Sequence, residues 1–188
     1  MFYPTQKRSQ ARILLKQKYV LIMGDSVQRG MYKDLVALLN DGSFMTSEEK
    51  RAKGEDSYRN DVLLNISALS NNTNFTEVRQ YTGYMPLTHN ERVSDSKGAF
   101  HWRESVLVRF VFITRAFNDY VKKAFDVLTE DFFPDVVCIN STFWDISRWD
   151  EHGHDKDREG RTFYPRLEQN VRNLTEHVNR AELRALKA

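Results

Sequence analysis

The apolar run Tyr19-Val20-Leu21-Ile22-Met23 ends at Gly24-Asp25-Ser26, and the chain passes directly into a helical pattern opening Val27-Gln28-Arg29-Gly30-Met31-Tyr32. An unbroken apolar run suits a strand covered on both faces. A helix following at once suits the first unit of an α/β sheet. Open α/β sheets form their ligand crevices at the carboxyl ends of such strands. A serine there places its hydroxyl at the crevice and its N–H at a helix N-terminus, where negative charge is favoured. The competing reading is structural: Asp25 or Ser26 caps the helix and does nothing else.

The rest of the chain supports an α/β class. Some helical character precedes the first strand, around Gln10 to Gln17. Helix Val27 to Leu39 carries Leu35, Leu38 and Leu39 at core-facing spacing and stops at Asn40-Asp41-Gly42-Ser43. Thr46 and Glu49 form a capping-box pattern for a short helix. Val62-Leu63-Leu64 is an apolar insert in polar sequence. Thr76 to Tyr81 alternates like a strand, and Thr82 to Trp102 is a long polar insertion read as a surface loop. Ser105 to Ile113 reads as a strong strand. Asn118 to Leu128 is amphipathic, with Tyr120, Val121, Ala124, Phe125 and Leu128 on one face. Asp135 to Asn140 reads as another buried strand. Leu167, Val171, Leu174 and Val178 recur at helical spacing, and a terminal helix is expected over Arg180 to Ala188. Strands alternating with helices predict a mostly parallel sheet flanked by helices.

Bulk properties exclude several classes. A chain of 188 residues can bury a core in one domain. The net charge of +2, with acids and bases interleaved, argues against nucleic acid as a partner. One cysteine, Cys138, excludes an internal disulfide and a cysteine zinc cluster, and its apolar setting predicts a buried, inert thiol. No apolar stretch reaches the roughly 20 residues of a membrane span, and no signal core precedes the first strand. The expectation is a soluble cytoplasmic protein. Asn-x-Ser/Thr sequons begin at Asn65, Asn71, Asn74, Asn140 and Asn173. Without a secretion signal they are expected to go unused, Asn140 lying in a core loop.

The stretch Lys18 to Leu35 closely resembles the nucleophile block of the PC-esterase family, which is similar to the SGNH/GDSL hydrolases. The resemblance continues at Lys53-Gly54-Glu55, Glu77-Val78-Arg79-Gln80, Val108 to Arg115 and Pro134 to Trp149, and extends weakly through Tyr164 to Asn170. Matched blocks run from Lys18 to Leu174, and the Thr82 to Trp102 insertion is the main departure within them. The implied fold is a three-layer α/β/α SGNH-hydrolase-like sandwich over residues 19–188, behind a basic lead-in at 1–18, with the C-terminal strands missing.

The resemblance also implies roles. Ser26 would be the nucleophile of an acyl-ester hydrolase or acyl transferase acting on modified glycans or lipids, with no cofactor and no metal. Gly24 would allow the tight turn, and Asp25 would fix that turn by hydrogen bonds rather than act as base. The Ser26 N–H and the Asn140 side chain would stabilise the oxyanion. The family's Gly-x-Asn-Asp pattern is replaced here by Asn140-Ser141-Thr142-Phe143, and Gly83 is the nearest candidate for its oxyanion glycine.

A serine needs a positioned base, and the family's Asp-x-x-His block is absent. The closest string is Glu151-His152-Gly153-His154. Three readings of His152 and His154 stand open: a polar surface loop, a metal site, or a substitute base. His89, His101 and His177 read as structural or exposed. A second functional class therefore stands beside the enzyme: a non-catalytic interaction module, with a protein partner covering an exposed sheet edge.

Overall fold

The computed structural model describes residues 4–52, 57–69, 77–84, 105–141 and 164–187. Of the insertion read as a loop over Thr82 to Trp102, residues 82–84 are described and continue a strand instead; its remainder, the blocks at 53–55 and 142–149, and His89, His101, His152 and His154 lie outside the described residues. The described elements are helix α1 (Pro4–Leu14), β1 (Tyr19–Gly24), α2 (Ser26–Asn40), α3 (Ser47–Arg51), β2 (Val62–Leu63), β3 (Val78–Tyr84), β4 (Ser105–Phe112), α4 (Asp119–Leu128), β5 (Val136–Asn140) and α5 (Tyr164–Ala185). A 3₁₀ turn spans Ser67–Leu69. Among the described residues, no helix is long and apolar enough to cross a membrane.

The strands form one mixed sheet in the order β2-β3-β4-β1-β5. β1 lies between β4 and β5 and runs parallel to both. β3 runs antiparallel to β4, and β2 antiparallel to β3. The chain is thus α/β, but the sheet is not mostly parallel: its β2-β3 side is antiparallel. The parallel rule holds for β4, β1 and β5, while β3 and β4 adopt the antiparallel pairing, which needs no helical crossover.

All six residues of β1 are buried, as an apolar run without alternation requires. Tyr19, Leu21 and Met23 pack on one face with Val121, Ala124, Phe125 and Leu128 of α4 and Ala181 of α5. Val20 and Ile22 pack on the other with Tyr32, Val36 and Leu39 of α2 and with Ala11 and Leu15 at the end of α1. Each such aliphatic side chain contributes about 1.5–3 kcal/mol on burial. The core stripe of α2 is therefore Tyr32, Val36 and Leu39; Leu35 and Leu38 are only half-buried.

Other expectations shift in detail. β5 is half-exposed rather than buried, because it forms the outer strand of the described sheet. Cys138 is accordingly half-buried, and Asn140 is exposed at the strand end rather than in a core loop. The terminal helix is continuous, and it docks through Leu174, His177, Val178 and Ala181 while Val171 stays 47% exposed. The Thr46–Glu49 capping box forms as its pattern predicts, with both reciprocal hydrogen bonds present.

Candidate active site

Gly24 closes β1 and pairs in register with Phe112 of β4 and Asn140 of β5. Its backbone is hemmed in. A Cβ added there would fall 2.5 Å from the Asn140 carbonyl oxygen and collide with the Gln28 side chain. Glycine is needed here for close approach.

Asp25 is the N-cap of α2, with extended backbone, 3% exposure and a carboxylate that accepts from the Val27 N–H at 2.8 Å. Ser26 is the first residue of the helix, and it is exposed. The opening N–H groups of a helix have no acceptor within it. Asp25 takes the one on Val27, and Ser26 lies exposed just past the carboxyl end of β1. The cap reading and the site reading thus fall on different residues: Asp25 caps, and Ser26 is displayed.

Asn140 ends β5 beside Gly24, and Gln28 links it to Asp25. Gln28 is 6% exposed. With its amide nitrogen turned toward the acceptors around it, the orientation that pairs every donor with an acceptor, it donates to Asp25 Oδ1 at 3.0 Å and to the Asn140 carbonyl at 3.2 Å. Its oxygen accepts from Asn140 Nδ2 at 3.1 Å. Sequence reasoning does not single out Gln28. The signal it offers is its place in the first turn of α2, where a long side chain lies back over the preceding segment.

A buried ionic chain supports the same turn. Arg29, 8% exposed, pairs with Glu77 at 2.9 Å and lies over the Phe112 ring at 5.8 Å. Glu77 also reaches Arg79 at 3.3 Å, and Arg79 forms a two-pronged pair with Asp61. The Tyr32 hydroxyl donates to Asp61 at 2.9 Å. Burial first, and the Asp61 carboxylate second, raise the pKa of that hydroxyl far above its ordinary value. The first half of α2 is thus held by polar contacts at Gln28, Arg29 and Tyr32.

The other candidates lie elsewhere. Gly83 pairs with Val106 at the amino-terminal end of β4, the far end of the parallel strands from Ser26, so the two do not share a site. His177, the one histidine among the described residues, is 5% exposed and paired with Asp126 at 2.9 Å. Asp126 is near the carboxyl end of α4, whose Leu128 carbonyl accepts from the Tyr19 hydroxyl at 3.0 Å. Tyr19 opens β1, so this pair also sits away from Ser26. Among the described residues, no group of three or more His, Cys, Asp or Glu side chains comes together as a metal site.

The chain is 39% identical over 144 residues to human PC-esterase domain-containing protein 1A, covering 75% of this chain and 28% of that protein. It is 32% identical over 170 residues to rat PC-esterase domain-containing protein 1B, covering 88% and 32%, and 35% identical over 147 residues to human 1B, covering 76% and 29%. This chain belongs to the PC-esterase family. It spans about a third or less of the length of these relatives. No protein-family profile matches it, and no solved structure does. In this PC-esterase family member the first resemblance block, Lys18 to Leu35, coincides with β1, the Asp25 cap and the first part of α2.

Proposed function

We propose that this chain acts through Ser26 as a serine acyl-ester hydrolase or acyl transferase on ester-modified glycans or lipids. The fold proposed with it is a three-layer α/β/α SGNH-like sandwich over residues 19–188. The observation that carries the reading is the display of Ser26: exposed, at a helix N-terminus, at the carboxyl end of β1, behind a glycine without room for a side chain.

In the proposed reaction Ser26 Oγ bonds to the acyl carbon and loses its proton to a base. The carbonyl oxygen gains negative charge and accepts from the Ser26 N–H and from Asn140 Nδ2. Collapse releases the alcohol with a proton, and water or a second hydroxyl then takes the acyl group from Ser26. Each preorganised oxyanion donor of this kind is worth about 3–4 kcal/mol. Asp25 acts by holding the turn.

A second reading is a non-catalytic interaction module. It is favoured by the position of His177, the one described histidine, away from Ser26, and by the half-exposed outer strand β5. Incubating the purified protein with p-nitrophenyl acetate and a fluorophosphonate probe, beside Ser26→Ala, separates the two. Turnover and labelling that vanish in the variant support the enzyme; a folded protein with neither supports the module.

A further inference from the structure

We propose that Gln28 is a positioning residue that holds the Asn140 carboxamide beside Ser26. This deepens the serine reading and rests on it. Asn140 ends an outer strand and is exposed, so backbone pairing fixes its main chain and not the orientation of its side-chain amide. Gln28 is buried, and its amide contacts both the carbonyl and the side chain of Asn140. Its nitrogen also reaches Asp25 Oδ1, the same atom that caps α2 through Val27. One carboxamide therefore ties the end of β5 to the turn that carries the serine.

Gly24 makes this possible. The aliphatic part of Gln28 crosses the space a Cβ at position 24 would fill. The glycine thus serves the approach of Gln28 and Asn140 as well as the turn. Asn140 Nδ2 carries two N–H groups, and the bond to Gln28 directs one of them, which sets the orientation of the whole amide.

The test is a double-substitution cycle on the full chain. Gln28→Met keeps the bulk over Gly24 and removes the amide. The readout is the second-order rate at which a fluorophosphonate labels Ser26. Gln28→Met and Asn140→Ala should each slow labelling tenfold or more, and the double variant should be no slower than Asn140→Ala alone. A merely structural role gives effects that multiply; that result, or labelling of Gln28→Met at the parent rate, overturns the proposal.

A second measurement does not depend on activity or on Gln28→Met folding. The side-chain amide protons of Asn140 in the unmodified protein, identified in a ¹H–¹⁵N spectrum by their loss in Asn140→Ala, should exchange with water at least tenfold more slowly than those of a free asparagine. Exchange at the free rate overturns the proposal. If the protein is unlabelled at Ser26 while Asn140 exchange is slow, the serine reading fails and the Gln28–Asn140 tether stands.

Discussion

Arg79 and Asp61 form a two-pronged ion pair with no solvent exposure on either side chain: Nε to Oδ2 at 2.7 Å and Nη2 to Oδ1 at 3.0 Å. Burial opposes the charge on Arg79, but the hydrogen bonds and charge of Asp61, with Glu77 behind it, outweigh burial and push its pKa upward. The pair links β3 to the Tyr58-to-Asp61 turn and, through Tyr32, to α2.

Removing one member of such a pair leaves a buried charge uncompensated. Asp61→Ala is expected to cost about 3–5 kcal/mol of stability, read from urea unfolding. Replacing both partners with apolar residues, Asp61→Leu with Arg79→Met, should recover part of that loss. A double variant less stable than Asp61→Ala would contradict this account.

Ser26 and Asp25 should separate cleanly. Ser26→Ala, at an exposed site, should change stability by less than about 0.5 kcal/mol while abolishing probe labelling. Asp25→Ala removes the cap of α2 and should cost about 0.5–2 kcal/mol. Thermal unfolding of the two variants side by side checks the contrast.

Gly24→Ala drives a methyl group against the Asn140 carbonyl and the Gln28 side chain. The clash with backbone cannot be relieved by a rotamer change. A loss of about 1–3 kcal/mol is expected, together with at least tenfold slower labelling of Ser26. Unchanged labelling would show that the turn tolerates the shift.

Asp135 sets an acid-dependent contribution. Burial tends to raise its pKa, but the hydrogen bond from Lys18, the Tyr19 N–H and the Lys18 charge together hold it below its ordinary 3.8. A lowered folded value means that folding favours the ionised form. The contribution is therefore whole above the ordinary value and is lost as pH falls through the folded one. The stability difference between the parent protein and Lys18→Met should be flat from about pH 7 to 5 and shrink below about pH 4. Denaturant unfolding across that range measures it.

Elements whose partners lie nearby in the chain are legible from the residues themselves. The Gly24-Asp25-Ser26 turn and the Thr46–Glu49 box form as their patterns require, because a cap is satisfied within one helical turn. The apolar face of α4 is equally clear, its full-height stripe leaving one way to dock. Spacing puts Leu39 of α2 and Leu174 and Val178 of α5 in or against the core, where they are, but misses Tyr32, Val36 and Ala181 and includes Leu35 and Val171, which stay partly exposed. Leu35 and Val171 are as apolar as the residues that are buried, and only the neighbouring layer decides which line faces in.

From sequence alone come the strand, the turn, the capped helix and the serine at their junction, since each depends on backbone groups and side chains a few positions apart. Tertiary structure alone decides the antiparallel half of the sheet, the half-exposed position of β5, and the meeting of Gln28 with Asn140 across 112 positions of chain. It also places His177 against Asp126 rather than near Ser26. Those outcomes rest on which strand lies beside which, a choice made by the packing of whole faces, and no local pattern of residues encodes it.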